Sequence, residues 1–331
     1  MADATNRPSV LVGVLHVGEP SLPRVLDRIR AQADVDVELL EIGHHPEREA
    51  HDLLYRAFDD ASASGTHDAL VKVDADMELV EPGLLRALAT MFRRHPDLDH
   101  IVLGVDDWFS GTRIQGMNAW RCGVRWTSPP PELFTDLPEN TVSTKLKLMD
   151  AGRPLVLHAA DPTDEQAVRY GLDRGLKAVE SGKRSRVERL LEVIDHAERR
   201  PERGRRLAVA AIAFSLSDRG AATTLLAQRD PTATDLTALT RSAEDPALTS
   251  RAQEEARALL HRLPAGSPDD VAVGTTSPPR STAARARGLA GRLVAMGNAR
   301  QDVRERWRKE LTALLTGPDP SGPVQPSRSS E

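Results

Sequence analysis

The sequence predicts an α/β fold, a mostly parallel sheet with helices on both faces, followed by an all-helical C-terminal region. Three observations predict it. Apolar runs of strand length alternate with helix-period segments through the first half of the chain. Strand signals stop beyond Gly182. Two carboxylates, Asp74 and Asp76, arrive at the end of one apolar run, and open α/β sheets bind their ligands outside the carboxyl ends of strands.

Residues 1–8 read as a loose N-terminus, and Ser9-Val10-Leu11-Val12-Gly13-Val14-Leu15 as a strand buried on both faces. Leu22, Val25, Leu26 and Ile29 then fall at helical spacing, with Pro23 where a first turn tolerates it. Val35 to Ile42 reads as a second strand, closing on Glu41-Ile42-Gly43 and His44-His45-Pro46. Ala50, Leu53, Leu54, Ala57, Phe58 and Ala61 trace a helical face that ends at Gly65. The third strand, Ala69-Leu70-Val71-Lys72-Val73, runs into Asp74-Ala75-Asp76, and a helix follows through Leu84, Leu88 and Phe92. Ile101 to Gly104 makes a fourth strand. From Asp106 to Asp136 the pattern is irregular, broken by glycines and Pro129-Pro130-Pro131 around Trp108, Trp120 and Trp126. Such loops grip substrates over a rigid sheet, or the tryptophans cap the core. A helix is predicted through Val142, Leu146 and Met149, then an apolar run, Leu155-Val156-Leu157, that delivers His158. Asp161 or Thr163 caps a helix reaching Ser181.

The resulting domain plan is a first unit over 1–181, a helical region over 182–263, a Pro/Gly/Ser/Thr-rich linker over 264–281, a helical segment over 282–316 and a disordered tail over 317–331. Leu289, Leu293, Val303, Trp307, Leu311 and Leu314 give the last helix a broad apolar face, which packs on its own chain or on a second copy, making a homo-oligomer through these helices possible.

Composition narrows the function. The 331 residues carry a net charge of -5, and aromatic residues make up 3%, so neither a basic surface nor stacking platforms speak for nucleic acid. The single cysteine, Cys122, excludes an internal disulfide and a cysteine-rich zinc site and fits a reducing, cytoplasmic setting. No signal segment or membrane-spanning apolar run is read from the sequence. Neither G-x-G-x-x-G after the first strand nor G-x-x-x-x-G-K-[ST] is present.

In an extended backbone residues i and i+2 share a side, so Asp74 and Asp76 are expected to face one point and offer oxygens to a hard divalent cation, Mg²⁺ or Mn²⁺, on a diphosphate. The competing reading is a solvated turn, as expected for Asp34-Val35-Asp36 and Asp97-Leu98-Asp99. With these residues placed, the stretch 9–181 resembles a GT-A-type glycosyltransferase, akin to the large inverting family that uses nucleotide-sugar donors. The likeness rests on the β-α-β-α opening, on Lys72-Val73-Asp74-Ala75-Asp76-Met77, which resembles that fold's metal-binding Asp-x-Asp, and on Glu139 to His158, which resembles its acceptor-side segment. The resemblance implies His158 as a third metal ligand beside Asp74 and Asp76. It places the donor around Val14, His16, Glu19 and Glu41, with Lys72 and Asp74, and Glu41 suits ribose hydroxyls or base N–H groups; a solvated loop acid is the other reading of Glu41. Where inverting relatives carry Glu-Asp, with the Asp as base, this chain has Glu139-Asn140, and an amide takes no proton at working pH. Glu139 or Asp136 then serves as base, or transfer is retaining, or catalysis is impaired. The alternatives are a non-catalytic interaction platform on a degenerate fold and a nucleotidyltransferase; the latter needs a basic glycine-rich loop that His16-Val17-Gly18-Glu19-Pro20 does not supply. The sequence leaves the donor sugar and the acceptor unnamed.

Overall fold

The computed structural model describes residues 7–126, 140–181, 183–227, 233–263 and 286–316. Asp136, Glu139, the 264–281 linker and the 317–331 tail lie outside them. Eight strands form one sheet: β1 (Ser9–His16), β2 (Asp36–Gly43), β3 (Ala69–Asp74), β4 (Met77–Leu79), β5 (His100–Asp107), β6 (Thr112–Arg121), β7 (Lys145–Leu148) and β8 (Val156–His158). The order is β2-β1-β3-β6-β5-β8-β4, with β7 paired to β5.

The sheet is mixed, which corrects the expectation of a mostly parallel one. β1 runs parallel to β2 and β3, and β5 parallel to β7 and β8, but β6 is antiparallel to both β3 and β5, and β4 antiparallel to β8. The cause lies in the stretch that looks irregular in the sequence. β5 continues to Asp107, the chain turns at Gly111 (φ +62°), and β6 returns as a hairpin partner that inserts between β5 and β3. Gly116, expected to be an interruption, lies inside β6, where a Cβ would collide with Val105.

The helix predicted through Val142, Leu146 and Met149 is also corrected. Lys145-Leu146-Lys147-Leu148 is strand β7, in which Leu146 and Leu148 are buried and the lysines alternate with them. A period of two prevails there because one face of the segment meets the core.

Helices cover both faces. α1 (Leu22–Arg30) and α3 (Leu84–Arg94) bury Val25, Ile29, Leu85 and Leu88 against Val10, Val12, Val14 and Val73, while α2 (Glu47–Ser64) packs Leu54, Tyr55 and Phe58 on Leu11, Leu70 and Trp120. Gly13 allows α2 to approach β1 closely, since a Cβ there would stand 2.1 Å from Leu54 Cδ1. Trp120 is therefore core, with Trp126 packed edge-on against it.

The described residues after β8 form helices only: α4 (Asp164–Ser181), α5 (Arg184–Arg199), α6 (Arg203–Ser217), α7 (Arg219–Ala227), α8 (Ala233–Glu244), α9 (Leu248–Arg262) and α10 (Ala286–Thr316). α4 begins with a reciprocal cap, Gln166 N donating to Thr163 Oγ1 (3.2 Å) and Thr163 N to Gln166 Oε1 (3.0 Å), so Thr163 is the capping residue of the two expected. α4 to α9 share a second core in which Val168, Leu172 and Leu176 of α4 meet Leu207 and Ala211 of α6. The end of α10 does not join that core. Its Trp307, Leu311 and Leu315 complete the sheet's α1–α3 core, and Glu310 accepts hydrogen bonds from Arg94 Nη1 (2.9 Å) and His95 Nε2 (2.8 Å). From Val303 to Leu315 the apolar face of the last helix is thus covered by its own chain.

Candidate functional site

β8 lies between β5 and β4, and His158 is in register with Asp107 on one side and with Met77 on the other. Met77 follows Asp76 directly, so pairing of β4 with β8 brings the Asp-x-Asp turn beside a histidine distant in sequence. Ala159 N donates to Asp76 O (2.8 Å), and His158 Nε2 stands 3.4 Å from Asp76 Oδ2. The turn itself is pinned at Ala75, whose N–H donates to Leu15 O (3.2 Å) and whose carbonyl accepts from Ser21 Oγ (2.8 Å). Ala159 holds a left-handed backbone (φ +50°), a conformation a non-glycine residue keeps only where its surroundings enforce it.

The buried side of this centre is a network that sequence reasoning does not find. Asp107, whose side chain is wholly inaccessible, places Oδ1 2.7 Å from His158 Nδ1. Its Oδ2 accepts from Ser110 N (2.8 Å) and from the Tyr170 hydroxyl (3.1 Å). Arg174, one turn further along α4, lies 5.1 Å over the Tyr170 ring. A signal for it exists: Asp106-Asp107 also ends an apolar run, as Asp74 and Asp76 do, but the strand expected from the sequence closes at Gly104.

The electrostatics follow from this packing. Burial disfavours a charged His158, but the attraction and hydrogen bonds of Asp76 and Asp107 outweigh it and push the imidazole up to about 10. Burial likewise opposes ionisation of Asp76 and Asp107, yet His158 holds both carboxyls below their usual range, Asp107 well below. Burial drives the Tyr170 phenol well above its ordinary value, so it stays a donor.

The remaining expected residues are distributed differently. Lys72 and Asp74 share a side, as the pleat requires, but the Lys72 ammonium lies 3.2 Å from Asp74 Oδ1. Among the described residues no three His, Cys, Asp or Glu side chains converge to hold a metal, so two of the three expected ligands, Asp76 and His158, are brought together. Glu41 pairs in register with Val14, on the α1 face, whereas Lys72 and Asp74 alternate with Val71 and Val73 onto the α2 face; the sheet separates them. Glu41 is 3.7 Å from Arg30 of α1. The Val14 side chain is fully buried in the core and offers a ligand at most its backbone. His16 meets His44 edge-on at 5.4 Å between ring centres, and Glu19 Oε2 accepts from Val17 N (2.8 Å) within the loop. Asn140 Oδ1 accepts from Val142 N (3.1 Å), a turn-forming role.

Two protein ligands suit an ion such as Mg²⁺, which keeps waters and completes its shell with substrate phosphate oxygens. Asp76 fits that donor set, whereas His158, held charged between two carboxylates, would have to give up its Nε2 proton to join it. A cleft of about 860 Å³ opens against His158, walled by Trp108, Arg113, Asp150 and Arg153. One face of the Trp108 indole is covered by Arg205 at 3.8 Å.

No helix among the described residues is long and apolar enough to cross a membrane. No protein-family model matches the chain, and no curated protein matches it. Among solved structures, the mannosyltransferase PcManGT from Pyrobaculum calidifontis, in complex with GDP-Man and Mn2+, is similar to 94% of this chain over 86% of its own, at 14% identity and a TM-score of 0.32.

Proposed function

We propose that the chain is a metal-dependent glycosyltransferase that moves a sugar from a nucleotide-diphosphate donor to an acceptor. The observation that carries this reading is the approach of Asp76, in the turn between β3 and β4, to His158 at the end of β8, with His158 fixed from behind by Asp107. The Asp-x-Asp motif and the histidine-delivering strand, on which the resemblance to GT-A enzymes rests, are the segments that meet there.

Asp76 and His158 would hold Mn²⁺ or Mg²⁺, with Asp74 acting directly or through water. The ion, when bound, neutralises charge on the departing diphosphate. His16, Glu19 and Lys72 would line the donor side, without Glu41, which lies across the sheet from Lys72. Glu139 would take the acceptor's proton, with Asp136 as the alternative. Glu139→Gln is expected to lower kcat by roughly 10²–10⁴ while donor affinity barely changes, since a base acts on the acceptor in the transition state and not on the diphosphate. A retained anomeric configuration by NMR, or a fully active variant, would refute that role.

The test of the reading as a whole is release of free nucleotide from a panel of nucleotide sugars with and without Mn²⁺. Release that stops in excess chelator is the expected outcome. A second reading, a non-catalytic platform, is favoured by the fact that His158 between two carboxylates forms a charge triad satisfied by protein alone. It predicts no release and no metal-dependent binding of a nucleoside diphosphate.

A further inference from the structure

The cleft against His158 runs between two walls. The end of the β5–β6 hairpin contributes Asp106, Trp108 and Arg113, the segment between β7 and β8 contributes Asp150 and Arg153, and Leu157 of β8 completes the lining beside His158. Its volume of about 860 Å³ falls within the roughly 300–1,000 Å³ of small-ligand sites, so the occupant is a small molecule or the end of a longer one. The donor residues proposed above stand on β1, on β3 and in the loop after β1, whereas this cleft opens at the ends of β5 and β8, which leaves it to the second substrate.

The charges of the cleft are matched before any ligand arrives. Arg113 bridges the two walls, with Nε and Nη2 donating to Asp106 on its own hairpin and Nη1 to Asp150 Oδ1 on the opposite side. Arg153 pairs with Glu81 and donates to Leu315 O, and His158 is taken by Asp76 and Asp107. A ligand carboxylate or phosphate therefore meets no guanidinium in the lining that lacks a partner. Asp150 uses Oδ1 for Arg113 and for Gly152 N–H (2.8 Å), and its Oδ2 can accept from a ligand hydroxyl. Trp108 supplies apolar surface that is already fixed, with Arg205 3.8 Å over its ring and Phe109 perpendicular to it at 5.0 Å, so little freedom is lost when a ligand settles there. C–H surface interleaved with hydroxyls, without net charge, is the chemistry of a neutral glycan. We infer that the cleft binds the acceptor, that the acceptor is a neutral glycan, and that Arg113, locked between Asp106 and Asp150, is what disfavours acidic sugars. Calling the glycan an acceptor rests on the transferase reading above. In that transfer the glycan hydroxyl oxygen bonds to the donor's anomeric carbon as the bond from that carbon to the diphosphate breaks; the nucleoside diphosphate leaves with the electron pair and the hydroxyl proton passes to the base.

The experiment probes the full chain, alone and with a nucleoside diphosphate and Mn²⁺, on an array of neutral hexose and N-acetylhexosamine oligosaccharides beside uronate- and sialate-bearing ones, with affinities of the hits taken by NMR titration. The parent is expected to retain neutral glycans in preference to acidic ones. Trp108→Ala should lower that affinity by about 10- to 100-fold, as truncation of an aromatic anchor does. Asp150→Ala alters a side chain that is 75% exposed and leaves Arg113 Nη1 to a ligand carboxylate, so it should shift the preference toward uronate-bearing glycans by about tenfold. It carries the test if the Trp108 variant does not fold, and a merely structural role for Asp150 would not move the preference. A parent that prefers acidic glycans, or variants that keep the parent's affinities and preference, would overturn the inference. Nucleotide release from a nucleotide sugar by a chain that binds no glycan in either condition would overturn it too, while leaving the transferase reading intact. Glycan binding with the expected variant pattern, but no release from any nucleotide sugar, would support the glycan site and remove the transferase reading.

Discussion

His100 opens strand β5 and Asp107 closes it, and the histidines at these two ends are held in opposite charge states. His100 is 3% exposed, stacks on Trp120 at 5.0 Å and faces Asn118 Oδ1 at 3.0 Å. Asn118 Nδ2 donates to Gly116 O (2.9 Å), so its oxygen is the acceptor and His100 Nε2 the donor. Burial, reinforced by Lys145 and Lys147, pushes His100 down to about 3 and keeps it neutral. His158 is as deeply buried, yet two carboxylates raise it to about 10. Burial is common to both, so it marks neither as functional. The distinguishing feature is a partner of opposite charge that itself reaches solvent: the Asp76 side chain is 31% exposed, whereas His100 has one amide partner and an indole. A buried charge costs heavily unless paired, and the site end of β5 is where the fold maintains one.

The largest expected effect comes from breaking the charged end. Asp76→Ala is predicted to abolish metal-dependent binding of a nucleoside diphosphate and to lower turnover by at least about 10²–10³, the cost of removing one electrostatic element at a reacting centre. The protein should stay folded, because Asp76 sits at a partly exposed turn held by backbone bonds at Ala75 and Ala159. Unchanged turnover in the variant, or in excess chelator, would end the metal hypothesis.

What can be read from the sequence divides along the same line. β1, β2, β3, α1, α2 and α3 are legible because their apolar spacing is local: Val10, Val12 and Val14 on one side, Leu22 to Ile29 on the next. The last residue of the third strand and the histidine after an apolar run are legible for the same reason. Pairing is not. Nothing local in Thr112–Arg121 states that it inserts between β3 and β5, and that insertion is what makes the sheet mixed. β7 misleads because Val142, Leu146 and Met149 satisfy a helical spacing while Lys145 to Leu148 satisfy an alternating one, and tertiary burial chose the second. The site follows suit: Asp76 and His158 stand out individually, while Asp107 and Tyr170 depend on the β5–β8 register and on where α4 packs, which lie in no single segment.

A smaller effect sharpens the contrast from the neutral end. With His100 neutral in the folded chain down to about 3, while an unfolded histidine takes up a proton below about 6.5, the unfolded state binds more protons throughout that window. Stability therefore rises with pH there, and His100 alone should remove about 1.4 kcal/mol per pH unit on acidification from about 6.5 toward 3. Carboxylates also contribute to acid unfolding, so the measurement is a difference between the parent and His100→Gln. The Gln amide still donates to Asn118 Oδ1 but cannot titrate, and it gives up the ring stack on Trp120, worth about 1 kcal/mol. The variant should thus be slightly less stable at pH 7, lose its disadvantage between about pH 6 and 5, and be the more stable chain below that. Nucleotide release should not change, since His100 touches none of the groups at the other end of β5. Parallel stability curves for the two proteins from pH 7 to pH 4 would show that His100 is charged in the folded chain, and the contrast between the two ends of the strand would then be lost.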